Sequence, residues 1–127
     1  MSSTLRKSYS DALRHFARAL RLIEVAKVSS EWRTYSIDSI REALTGLLIL
    51  GNVGLTSYMD LTNIAALALD KGLLNLDDFS RIAYLNVRLR TGSTVSFKDV
   101  KLIVDKIIKI SSSKDPYLSR QLKLFRY

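Results

Sequence analysis

Five stretches of this chain repeat apolar residues at steps of three and four, and most are closed by glycine or by small polar residues. Steps of that size keep apolar side chains on one stripe of an α-helix, whereas a half-buried strand needs a step of two. In the first stretch, from about Ser8 to Lys27, Tyr9, Ala12, Leu13, Phe16, Leu20 and Ile23 form the stripe. Lys7, Arg14, Arg18 and Arg21 fall opposite, so this helix is amphipathic. The second stretch, near Ser30 to Gly51, aligns Trp32, Ile37, Ile40, Ala43, Leu44, Leu47 and Leu48. Its second half is apolar nearly all round, which predicts a central position.

The third stretch, about Ser57 to Lys71, carries Ala65, Ala66 and Ala68, so a neighbour can approach closely. The fourth runs from about Leu76 to Arg90. The fifth, about Phe97 to Ile110, turns Val100, Ile103, Val104 and Ile107 inward and Lys98, Lys101 and Lys109 outward. Three pairs, Ser8 with Asp11, Ser57 with Asp60 and Ser96 with Asp99, resemble capping boxes with Asp in place of Glu. Asn75 is the expected N-cap of the fourth helix, with Asp77 and Asp78 in the first turn, where the helix dipole favours acids. Gly51, Gly72 and Gly92 read as stops. Ser111 to Pro116 reads as a linker. The best strand candidate, Ser93 to Phe97, is too short to change the class.

The expected fold is therefore all-α, an antiparallel helical bundle of about five helices, because short connections favour antiparallel neighbours. Residues 1–112 are expected to form the bundle domain. Residues 113–127 form a tail or short extra helix, with Leu118, Leu122 and Phe125 at helical spacing. A length of 127 residues suits one domain with its own core. With no cysteine, disulfides and thiolate metal sites are excluded. No apolar run approaches a membrane span and no signal-peptide core stands at the N-terminus, so a cytoplasmic protein is expected, with no membrane partner.

The net charge is +8, with the excess at the two ends of the chain. A basic surface attracts phosphate-rich partners. The only histidine, His15, has no metal-binding company, and Glu24, Glu31 and Glu42 are scattered over two helices. Phosphate-binding glycine loops, a serine-hydrolase elbow and a dinucleotide fingerprint are all absent. No catalytic residue, metal or cofactor is expected from these patterns.

The fourth helix holds the one unusual feature. With Phe79, Ile82 and Ala83 as its inner face, Asn86 and Arg90 continue that face, while Arg81 and Arg88 point the other way. A core-facing Asn and Arg are costly without partners. They are expected to line an interface, a cleft or a polar network, or Arg90 snorkels to water as the helix end emerges.

The segment Phe79-Ser-Arg-Ile-Ala-Tyr-Leu-Asn-Val-Arg-Leu-Arg90, followed by a short glycine-containing turn and a last helix, resembles the HEPN superfamily. The nearest likeness is to the HepT-like proteins encoded beside minimal nucleotidyltransferases, in toxin–antitoxin pairs. The likeness in helix order spans about residues 8–110. Family members carry Arg-Asn, three variable residues and His near the end of the penultimate long helix. There the motif faces a dimer cleft and forms a metal-independent ribonuclease site. Asn86 stands on the family Asn, but Leu85 stands where Arg is expected and Arg90 where His is expected. Arginine fits phosphate geometry but cannot serve as an acid–base group near neutral pH.

The resemblance thus implies a non-catalytic HEPN-like module, a homodimer that binds RNA or a nucleotidyltransferase-type partner. The expected binding residues are Asn86, Arg90, Arg88, Arg14, Arg18 and Arg21. One alternative is a ribonuclease with an altered site using Asn86, Arg90 and Tyr84. Another is a structural bundle that binds protein through its tail.

Overall fold

The computed structural model describes residues 3–55 and 59–113, with side chains from Tyr9 onward. Five helices follow one another: α1 (Ser3–Ala26), α2 (Trp32–Leu50), α3 (Leu61–Asp70), α4 (Leu76–Thr91) and α5 (Phe97–Ser113). The described residues contain no strand, so the chain is an all-α bundle.

The helix ends follow local chemistry. Asn75 caps α4 as expected, its side chain accepting the amide of Asp78 at 2.8 Å. Gly92 closes the same helix in the left-handed conformation, which glycine adopts without steric cost. Three boundaries depart from the sequence expectation. Helix α1 begins at Ser3 rather than Ser8, because no glycine or proline interrupts the residues between them. Ser8 and Asp11 therefore lie inside the helix, and Asp11 pairs with Arg14 at 3.2 Å instead of capping. Helix α3 starts only at Leu61, where Asp60 is the cap and accepts the amide of Thr62 at 3.2 Å. Ser57 lies outside the described residues.

The third departure is in α5, which runs through Ser111, Ser112 and Ser113. Their hydroxyls turn back onto the carbonyls of Ile107, Lys109 and Ile110 at 3.0, 3.2 and 2.9 Å. Serine satisfied in this way is tolerated in a helix, so the expected linker cannot begin at Ser111. The domain boundary drawn at residue 112 falls in the last helical turn, and the rest of the expected tail lies outside the described residues.

Helix α2 is the hub and packs against each of the other four. Its partner along the whole length is α1. Phe16 of α1 approaches Gly46 so closely that a Cβ there would sit 2.5 Å from the ring. Ser39 donates to the Ala19 carbonyl at 2.7 Å. With Ala12, Ala19, Ser36 and Ala43, all fully buried, these residues form a seam of small side chains around one large ring. Such a seam lets two helices come together closely, with contact taken up by dispersion rather than by long side chains.

Contacts at the helix ends fix direction. His15 meets Glu42 and Ala19 meets Ser39, so α1 and α2 run antiparallel. Arg33 at the start of α2 donates to the carbonyl of Arg88 late in α4. Asp60 at the start of α3 meets Arg90 at the end of α4, while Lys106 late in α5 meets Asp78 early in α4. Helices α3 and α5 are thus both antiparallel to α4. Helix α3, however, starts at the end of the bundle where α2 also starts. Helices α2 and α3 therefore run the same way.

The core gathers Phe16 and Ile23 of α1, Ile40, Leu44, Leu47 and Leu48 of α2, and Ile82, Leu85 and Leu89 of α4, with Val100, Ile103, Val104, Ile107 and Ile108 of α5. The buried stripe of α4 is centred on Ile82, Leu85, Asn86 and Leu89. Phe79 and Ala83, expected to lead that face, are only half-buried at its edges. Asp78 is 1% exposed and held by Lys106 at 2.8 Å. A carboxylate so buried needs such a counter-charge.

Candidate functional site

Asn86 is buried, at 4% exposure, and its amide nitrogen faces the start of α3. Its amide nitrogen donates to Thr62 Oγ1 at 3.0 Å and to Asp60 Oδ2 at 3.3 Å. Its amide oxygen accepts from Arg90 Nε at 2.8 Å. Arg90 also reaches Asp60 Oδ1 with its terminal nitrogen, at 2.8 Å. Asp60, Thr62, Asn86 and Arg90 thus close a ring of polar contacts around the N-cap of α3. Asn86 faces inward as its helical step predicts, with its cost offset by a network, whereas Arg90, expected on the same inner face, is exposed. Arg90 is the outer member, with a side chain 45% exposed.

Leu85, which precedes Asn86, is 3% exposed and belongs to the core. The network therefore contains a carboxylate, a hydroxyl, an amide and a guanidinium, but no imidazole. Arg88 lies elsewhere: its guanidinium stacks 4.9 Å from the Tyr84 ring and donates to the Thr94 carbonyl at 3.0 Å. The start of α2 is tied in by a similar device, Arg33 stacking on Trp32 at 4.7 Å.

The α1 arginines stand on another side of the molecule. Arg14, Arg18 and Arg21 are exposed and follow one another at steps of four and three, so they share one face. Arg14 is paired to Asp11 at 3.2 Å and Arg18 lies 3.8 Å from Glu42. Exposed pairs of this kind contribute little to stability. Lys98, Lys101 and Lys109 are exposed on α5, which packs beside α1. Among the described residues the backbones of α1 and α4 do not approach each other. The six expected binding residues are thus not one surface. Arg14, Arg18 and Arg21 form one group, Asn86 and Arg90 a second, and Arg88 with Tyr84 a third.

Sequence reasoning missed a cluster at the α1–α2 seam. His15 Nδ1 lies 2.5 Å from Glu42 Oε2, both side chains about a fifth to a quarter exposed, with Arg18 on the other carboxylate oxygen. One signal could have found it. The complementary run of Ala12, Phe16 and Ala19 against Ser39, Ala43 and Gly46 sets the register of the two helices, and that register places residue 15 opposite residue 42. Among the described residues, no group of three or more His, Asp or Glu side chains gathers to hold a metal ion. No helix among them is long and apolar enough to cross a membrane. Comparison with known protein families, with curated proteins and with solved structures finds no match for this chain.

Proposed function

We propose that this chain is a non-catalytic, HEPN-like RNA-binding bundle whose phosphate-contacting surface is the outward face of α1. The observation that carries the reading is the exposed row Arg14, Arg18 and Arg21 in a chain of net charge +8. Seven residues of helix separate the first from the last, about 10 Å at the helical rise, enough to meet more than one phosphate. Asp11 and Glu42 hold two of these arginines only loosely, so phosphate oxygens can take their place.

The absence of catalysis is argued from α4. Arg90 holds the α3 cap with Asn86, and neither a guanidinium nor an amide serves as a general acid or base. Leu85 supports the core at the position where the family carries a second polar group. The ribonuclease alternative would have to recruit Tyr84, whose ring is engaged by Arg88, or a group more distant from Asn86.

Binding of a single-stranded RNA, followed by fluorescence anisotropy across a salt series, tests the reading. Three phosphate contacts predict a slope of log affinity against log salt of about −2. Replacing Arg14, Arg18 and Arg21 by Gln is expected to abolish that slope without changing the far-UV circular dichroism. Binding that ignores salt, or that survives the triple replacement, would falsify the α1 surface. Failure to bind RNA, together with capture of a nucleotidyltransferase-type protein, would transfer the module to its other family role.

A further inference from the structure

His15 stands on the edge of α1 where the exposed arginine row meets the α2 seam. Arg14 precedes it, and Arg18 follows about one turn later on the same side of the helix. Across the seam, His15 Nδ1 lies 2.5 Å from Glu42 Oε2, while Arg18 Nη1 lies 3.8 Å from Oε1 of the same carboxylate. One acid thus lies between the chain's only histidine and the middle arginine of the phosphate-contacting row. Glu42 competes with phosphate for Arg18. The His15 and Glu42 side chains are 19% and 24% exposed and Arg18 is 52% exposed, so a ligand on the α1 face reaches all three.

We infer that His15 makes RNA binding on α1 proton-dependent: its protonated imidazole takes over Glu42 and releases Arg18 to a phosphate. The inference rests on the RNA reading of α1 and names how that surface is regulated. An ionised carboxylate only accepts hydrogen bonds, so Nδ1 donates to Glu42 whether the ring is neutral or charged, and Nε2 takes the second proton. While the ring is neutral, the charge of Glu42 is met by Arg18. Once the ring is charged, its contact with Glu42 becomes a charge-assisted pair, stronger than the neutral one. Arg18 is then free to turn to a ligand, and the α1 face carries one more positive charge, which a polyanion favours. Imidazole is the side-chain group suited to such a switch between about pH 5 and 8. By linkage, a ligand that prefers the protonated form raises proton binding in turn, so RNA binds with uptake of protons.

The neighbouring acids have other partners. On α1, Asp11 pairs with Arg14 at 3.2 Å. On α2, Asp38, one turn before Glu42, lies 3.7 Å from Arg41. Helix α5 also packs against α1 and carries Asp105, Lys106 and Lys109 in its second half. Asp105 has an interaction of its own, and Lys106 is held by Asp78 at 2.8 Å. Glu42 is therefore the acid matched to His15.

The test is the anisotropy of a labelled oligouridylate, whose bases do not titrate in this range, with the full chain at about pH 8 and about pH 5.5. Affinity is expected to rise at least about fivefold at the lower pH. The salt slope should steepen by about 0.7, the share of one further phosphate contact. His15→Gln keeps an amide donor for Glu42 but cannot gain charge, and is expected to bind alike at both pH values. Glu42→Gln removes the competitor and is expected to raise affinity at the higher pH toward the wild-type value at the lower. Calorimetry in buffers of different ionisation enthalpy is expected to show proton uptake on binding by the wild type and none by His15→Gln. No binding at either pH sinks the RNA reading and this inference with it. Wild-type binding indifferent to pH, or a pH response that survives His15→Gln, overturns the inference alone and leaves the arginine row in place. So does an affinity that Glu42→Gln leaves unchanged.

Discussion

The α1–α2 seam and the α3–α4 junction join helices by opposite means. At the seam, one phenyl ring lies against a glycine and a row of alanines and serines, with a single hydroxyl bonded across. At the junction, four polar side chains hold one another around a helix cap. The seam depends on shape, so it has no room for added atoms. The junction depends on partners, so it suffers when an atom is removed. Two neighbouring contacts in one small bundle therefore differ in the kind of substitution each resists.

The harshest way to break the comparison is to put a charge where the junction meets the core. Leu85→Arg is expected to cost about 4 kcal/mol or more, since a guanidinium would be buried without a partner. Urea unfolding would read that loss. Combined with Arg90→His, which creates the Arg-Asn and His spacing of the HEPN proteins, it is expected to yield no ribonuclease activity in an RNA-cleavage assay. A folded, active double variant would show that the junction can be remade as a catalytic site.

At the seam, Gly46→Ala is expected to lower stability by about 1–3 kcal/mol. Phe16→Leu in the same chain should recover part of that loss, because the new methyl group then has room. Recovery by the second substitution, measured as a double-mutant cycle, would establish that shape governs this contact. Simple additivity of the two losses would contradict it.

At the junction, Asn86→Ala is expected to cost about 2 kcal/mol, since it strips partners from Thr62, Asp60 and Arg90 together. Arg90→Ala is expected to cost less, about 1 kcal/mol, because that side chain is the solvent-facing member of the network. The two losses should not add, as they act on one ring of contacts. The smallest effect belongs to α1: replacing its three exposed arginines by Gln should change stability by only about 0.5 kcal/mol, while it removes RNA affinity. A large stability loss there would mean that those arginines serve the fold rather than a ligand.

The helical class and the core stripes were legible because periodicity is a local property, and Phe16, Ile40, Leu44, Ile82 and Ile107 all lie inside as their spacing predicts. Asn75 and Gly92 were legible for the same reason, as a cap and its stop are set within a few residues. Helix starts at Ser3 and Leu61 were less so, since a Ser with an Asp three residues on occurs inside helices as well as at their ends. The inward turn of Asn86 could be read from its helical step, but its partners could not. Asp60 and Thr62 lie more than twenty residues away, and only the packing of α3 against α4 brings them together. His15 and Glu42 were hidden likewise, because their meeting depends on a register between two helices.

Because α2 touches every other helix, no helix can detach without baring part of it, and loss of α2 would leave none of the rest with a complete apolar shelter. Amide hydrogen exchange should accordingly be slowest along its buried middle, near Ala43 to Leu48, at rates set by opening of the whole molecule rather than by local fraying. The unfolding transition should then be single and coincident by every probe.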